Sequence, residues 1–257
     1  MLSNKNIIFK IQRKYYYILE NLFCYLKRNE PDMGNVWMFH RISDMFEGDT
    51  NEEFWVSTKR FLEVVEEALY KGVEFRPLED IARSDNASVF ITFDDGYHDI
   101  YINAYPILKK YKVPFAIFVT TDFINCPGYL TLGQLQELST NPLCTIGAHT
   151  MSHPRLRKLK DIDVRIELEG SRRELEKKLN IQIQIMAYPY GNVRAVSRRN
   201  VKMVKALGFR YAFSTLQMSI KKSMIKERYF IPRWNINDNN IQYRLKCCTI
   251  KLINENI

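Results

Sequence analysis

From residue 35 onward, short apolar runs alternate with amphipathic stretches. Val36 to Ile42, Ser88 to Phe93, Pro114 to Thr121, Cys144 to Ala148, Ile183 to Tyr188, Arg210 to Thr215 and Tyr229 to Ile236 each read as a buried strand, being short and dominated by apolar side chains. Between them the period changes to that of a helix. Ser57 can cap a helix running to Tyr70, with Phe61, Val64, Val65 and Leu69 on one face and Gly72 ending it. Further helices are predicted over Asp99 to Lys110, Thr131 to Ser139, Asp161 to Leu179, Ser197 to Leu207, and from Asn239 to the end. Strands separated by helices of this length imply right-handed crossovers and a parallel sheet, open or closed into a barrel. In either form, ligands sit where strands end at their carboxyl side.

The first thirty residues show a different pattern. Ile7, Ile8, Ile11, Tyr15, Ile18, Leu19, Leu22, Phe23 and Leu26 recur at helical spacing, while Lys10, Arg13, Lys14, Glu20 and Lys27 interrupt the stripe or face away. We read residues 1–29 as an amphipathic helical segment and 30–257 as the main domain. The helix either docks on the domain or lies in a membrane interface, where its basic residues would favour anionic lipid. No secretory signal peptide and no run long and apolar enough to span a bilayer is evident, so the expected location is cytoplasmic, with peripheral contact to the inner face of the membrane through residues 6–27.

Composition adds limits. At 257 residues, 46% hydrophobic and 26% charged, the chain is long enough for one large globular domain. Its five cysteines are odd in number and show no metal-ligand spacing, which suits free thiols. The net charge is +9, with clusters at Arg155 to Lys160, Arg172 to Lys178, Arg194 to Lys205 and Lys221 to Lys226. These are either solvated helix faces or a surface for an anionic partner. No nucleic-acid motif accompanies them, so nucleic acid is not an expected partner.

Chemistry concentrates at three strand ends. Asp94-Asp95-Gly96 closes one strand, His149 closes another with His153 four residues on, and Tyr188-Pro189-Tyr190-Gly191 closes a third. Alone, each has an ordinary reading: a turn, local hydrogen bonding, a loop. Together, two imidazoles and a carboxylate form a three-ligand set that leaves a coordination position open, and a second carboxylate beside it is a ready general base.

Thr92-Phe93-Asp94-Asp95-Gly96, His149-Thr150-Met151-Ser152-His153-Pro154 and Ala187-Tyr188-Pro189-Tyr190-Gly191, in this order, resemble the polysaccharide deacetylases of carbohydrate esterase family four. Val36 to Ile42 is similar to the opening strand of a subgroup acting on exopolysaccharides. The resemblance spans residues 35 to 236. It implies a distorted (β/α) barrel of about seven parallel strands, and a divalent metal, commonly Zn2+, held by Asp95, His149 and His153. It also implies Asp94 as the base and the backbone N–H of Tyr190 as an oxyanion donor. The implied reaction is removal of N-acetyl groups from a sugar in a glycan or lipid-linked glycan precursor.

Two departures qualify this. Many members carry an arginine at the start of the third motif, where this chain has Met186-Ala187. Arg233, at another strand end, is the candidate replacement, its alternative role being a structural ion pair. Many members also carry a late histidine supplying the general acid, and here no histidine follows His153. His40, ending the first strand, is the candidate acid, while His98 is assigned a structural role. The alternatives are an inactive sugar-binding protein on the same fold and an amide hydrolase with a non-sugar substrate.

Overall fold

A computed structural model of the chain describes residues 18, 22, 25–27, 29–44, 54–85 and 88–254. Most of the amphipathic segment predicted over residues 6–27 lies outside the described residues. Strand β1 is Asn35–Phe39, β2 Arg41–Ile42, β3 Trp55–Val56, α1 Thr58–Tyr70, β4 Glu74–Phe75 and β5 Ser88–Phe93. Next come α2 (Tyr105–Tyr111), β6 (Phe115–Val119), α3 (Leu132–Ser139), β7 (Cys144–Ala148), α4 (Asp161–Leu179), β8 (Ile185–Ala187), α5 (Arg198–Ala206), β9 (Tyr211–Phe213), α6 (Lys222–Glu227), β10 (Trp234–Asn235) and α7 (Ile241–Asn254).

The main sheet is parallel and runs β10-β1-β5-β6-β7-β8-β9, with β4 added against the start of β5. Its two edges are brought together by one segment. Ser214 N–H donates to Ile231 O at 2.7 Å and Ile231 N–H to Ala212 O at 2.9 Å, while Trp234 pairs with Trp37 in β1. Pro232 lies between these contacts and has no N–H to donate, so the strand predicted over Tyr229 to Ile236 is reduced to a single bridge and the two residues of β10. The sheet thus curls into the distorted (β/α) barrel that the family resemblance implies.

Alternation along each strand separates two cores. Val36, Phe90, Ala116, Phe118, Ile185, Ala187, Tyr211 and Phe213 fill the barrel. Their neighbours Trp37, Val89, Ile91, Phe93, Ile117, Ile146 and Met186 face the helices, meeting Phe61 and Val64 of α1, Leu108 of α2 and Leu168 of α4. Gly147 is needed where it stands, because a Cβ there would lie 2.5 Å from the Phe118 ring.

Several elements differ from their sequence reading. The first strand breaks at His40, because Arg41 leaves the main sheet and pairs with Trp55 in the β2–β3 ladder. On α1 it is Ala68 that is buried, whereas Leu69 is 38% exposed. The helix after Asp99 begins with π-helical Ile100–Ala104 before α2. Helix α6 and the β2–β3 ladder were not anticipated, being too short to show a period. Residues just before β1 are clasped to α6: Lys27 Nζ donates to Ser223 Oγ at 2.6 Å, and Lys221 pairs with Asp32 at 2.6 Å. No helix among the described residues is long and apolar enough to cross a membrane.

Candidate metal centre and active site

The inward register of β5 runs Phe90, Thr92, Asp94, and that of β7 ends Gly147, His149. The strand pattern therefore carries Asp94 and His149 to the same mouth of the barrel. Asp94 is fully engaged by Arg233. The guanidinium places Nη1 2.7 Å from Oδ1 and Nη2 2.7 Å from Oδ2, a bidentate pair. Arg233 has no exposed surface; it also donates to Ser214 O at 3.0 Å and Thr92 Oγ1 at 3.2 Å, and stacks 5.3 Å from the Phe118 ring. Burial opposes charge on Asp94, but Arg233, helped by His149, prevails and holds the carboxyl at about 2. The ion-pair role considered for Arg233 is thus real, and its partner is the candidate base itself.

Asp95 is held at φ 70°, which aims its carboxylate at the two histidines. Its Oδ1 lies 3.2 Å from His153 Nε2 and 3.5 Å from His149 Nε2. His149 Nδ1 lies 2.8 Å from Ala187 O, so that nitrogen carries the proton and Nε2 presents a bare lone pair. Burial pushes His149 down to about 3 and also lowers His153. Burial, reinforced by Asp94, raises Asp95 to about 7. One ligand atom from each of Asp95, His149 and His153 fits within 4.8 Å of the others. Asp95 Oδ1 is buried and accepts no hydrogen bond among the described residues. A buried carboxylate oxygen without a donor, facing two imidazole nitrogens, is a donor set that a divalent cation completes.

The loop carrying His153 is held from behind. Glu167, on α4, accepts from Met151 N at 2.8 Å, Ser152 N at 3.0 Å and Ser152 Oγ at 2.6 Å. Gly170, one turn on, leaves room for Met151, whose Sδ would lie 2.2 Å from a Cβ placed there. Sequence reasoning did not single out Glu167. The available signal was Gly170, an isolated glycine in a strongly helical stretch, which marks close packing. Thr92 and Ser214 were likewise missed as partners of Arg233.

Thr150 (φ 68°), His153 (φ 60°) and Tyr190 (φ 60°) join Asp95 in the left-handed region. Such positions cost about 1–3 kcal/mol each and concentrate at functional sites. The Tyr190 carbonyl accepts from Asn192 N and Thr215 Oγ1, while its N–H has no acceptor among the described residues. The Tyr190 ring is 43% exposed and lies 4.8 Å from the His153 ring. His40 stands where β1 leaves the barrel, edge-on to Phe54 at 4.7 Å, with Nδ1 buried and unpaired among the described residues. Burial lowers it to about 4, against the pull of Asp94. His98 Nδ1 lies 3.2 Å from Gln134 Oε1, consistent with its structural assignment. The structure thus brings Asp94, Asp95, His149, His153, Tyr190, His40 and Arg233 to one mouth of the barrel.

A family model described as polysaccharide deacetylase matches residues 82–212. A poly-beta-1,6-N-acetyl-D-glucosamine N-deacetylase of Staphylococcus aureus is 29% identical over 172 residues, covering 62% of this chain and 58% of the relative. A putative polysaccharide deacetylase of Bacillus subtilis, YxkH, is 32% identical over 127 residues, 49% of this chain and 44% of that protein. The chain thus spans about half the length of the curated relatives it matches. Among solved structures, the Streptococcus pyogenes deacetylase PplD in complex with acetate superposes with a TM-score of 0.74 at 24% identity, covering 84% of this chain and 98% of that one. IcaB from Ammonifex degensii superposes with a TM-score of 0.71 at 20% identity over 86% and 98%. These two support the fold.

Proposed function

The chain belongs to the polysaccharide deacetylase family, and from that premise we propose that it is a metal-dependent hydrolase removing N-acetyl groups from an N-acetylated sugar in a glycan or a lipid-linked glycan precursor. The observation that carries the reading is the placement of Asp94, paired to Arg233, directly beside the Asp95, His149 and His153 cluster. Asp95, His149 and His153 would hold the ion, most simply Zn2+. When bound, a divalent ion polarises the acetyl carbonyl and makes water acidic enough to attack near neutral pH.

The chain's own groups supply the rest. Asp94, kept ionised by Arg233, accepts a proton from the attacking water. Arg233 fixes the orientation of the Asp94 carboxylate, since both of its oxygens are engaged. The Tyr190 N–H, without an acceptor among the described residues, is the donor for the developing oxyanion. Water's oxygen joins the acetyl carbon, the C–N bond breaks, and the amine takes up one proton. His40, neutral at rest, is our candidate for delivering it, and the proton accepted by Asp94 is its source, so no outside acid is required.

Acetate release from poly-β-1,6-N-acetyl-D-glucosamine by the zinc-equilibrated protein tests this reading. Release from N-acetylated amines, but from no sugar, would move it to a different substrate. We further place the protein at the cytoplasmic face of a membrane, held through residues 6–27. In support, Ile18, Leu22, Tyr25 and Leu26 are exposed in a segment rich in Lys and Arg. Replacing Ile18, Leu22 and Leu26 with Ser should abolish co-sedimentation with anionic vesicles; unchanged sedimentation would remove this part of the reading.

A further inference from the structure

Most basic residues of α4 are neutralised within the helix. Arg172 pairs with Glu176 at 3.1 Å, Lys178 with Glu174 at 2.6 Å, and Arg165 and Arg173 both approach Glu169. The basic run that follows the metal-ligand loop behaves differently. Arg155, Lys158 and Lys160 carry no ion pair among the described residues.

Arg155 is also held in a particular way. Its guanidinium carbon sits 4.0 Å from the centre of the Tyr190 ring, and that ring lies 4.8 Å from the ring of His153. Stacking on an aromatic face fixes the plane of a guanidinium and leaves its N–H donors pointing outward along the edge. Such a fork matches two oxygens of a carboxylate or phosphate. Arg157 N–H donates to Ala195 O at 2.7 Å, joining this run to the loop that carries Arg194. Arg194 Nε is buried without a hydrogen-bond partner among the described residues.

We propose that Arg155, presented by Tyr190 beside the metal-ligand cluster, is a subsite for an anionic group, carboxylate or phosphate, borne by the substrate next to the N-acetylated ring. The inference rests on the deacetylase reading for its substrate but is read out by binding. A neutral poly-N-acetylglucosamine would leave the fork without a partner. An acidic glycan or a phosphate-linked sugar would engage it. Because Arg155 is exposed, the contribution falls with ionic strength.

The test compares three ligands by calorimetry on the zinc-loaded full chain at low salt: N-acetylglucosamine, N-acetylglucosamine 1-phosphate and N-acetylmuramic acid. At least one acidic sugar should bind about tenfold more tightly than the neutral one, the size of a charge-assisted hydrogen bond at a partly open site. Whichever acid it is separates phosphate from carboxylate. In Arg155→Gln the advantage should vanish while zinc content and melting temperature are kept. Equal binding of all three sugars, or an advantage that survives Arg155→Gln and so comes from the metal alone, would overturn the proposal. Absence of turnover with acidic binding intact would count against the deacetylase reading and not against this subsite.

Discussion

Removing Arg233 probes the site at the point where stability and chemistry meet. The guanidinium makes two 2.7 Å contacts to Asp94 and reaches Thr92 and Ser214 as well, with no exposed surface. In Arg233→Met, Asp94 stays buried without its partner. Breaking a buried pair in this way costs about 3–5 kcal/mol, which for a domain of this size lowers the melting temperature by roughly 6–20 °C. The sign with pH also follows. In the native protein the Asp94 carboxyl is held at about 2, below its unfolded value, so the pair stabilises above the unfolded pKa and is lost as pH falls through about 2. Without Arg233, burial dominates and Asp94 rises, so the proposed base is protonated over a pH range where in the native protein it is ionised. Measured at saturating zinc, so that metal loss does not set it, the acidic limb of kcat/KM should therefore move to higher pH in Arg233→Lys, which keeps one charge but not the fork, with melting between native and Arg233→Met. Thermal unfolding and acetate release across pH measure both. A loss under about 1 kcal/mol in Arg233→Met, together with an unmoved acidic limb in Arg233→Lys, would mean that Arg233 does not hold Asp94 ionised.

The other expectations concern the ligand loop, the cation and the acid. Glu167→Ala removes three hydrogen bonds from the loop that presents His153, so zinc affinity, measured by chelator competition, should fall about 10–100-fold; unchanged affinity would show that the loop holds itself. Metal binding should weaken as pH falls through about 7, by about tenfold per pH unit, because Asp95 must give up a proton while His149, at about 3, is already neutral; a flat affinity between pH 5 and 7 would contradict this. His40→Ala should slow acetate release by about two to four decades at full zinc content, and native turnover would eliminate His40 as the acid.

The strands and their ends were easy to see because the central ones, Asn35–Phe39, Ser88–Phe93 and Phe115–Val119, are buried along their whole length and rich in apolar residues. Ser88–Phe93, Cys144–Ala148 and Asp161–Leu179 lie where their patterns place them. Asp95, His149 and His153 were visible for a related reason, since strand ends in a parallel barrel share one mouth. The closure of the barrel was implied by the family resemblance and not by the apolar pattern. It depends on Pro232 splitting one strand so that Ile231 serves β9 and Trp234 serves β1, a choice that no periodicity records. Arg233 could be nominated from its position, yet its bidentate grip on Asp94 spans 139 residues and is a fact of tertiary structure alone. Glu167 looked like one more acidic residue on a charged helix, because its partners are backbone N–H groups, which sequence does not display.

In the proposed function, Asp94 acts as a base beside an ion held by Asp95, His149 and His153. The most direct test is acetate release by Asp94→Asn set against native protein, both equilibrated with zinc and assayed for bound metal. About one ion per chain is expected in each, with acetate from the native protein and none from Asp94→Asn. Equal acetate release by the two proteins, or a folded native protein that retains no zinc, would contradict it.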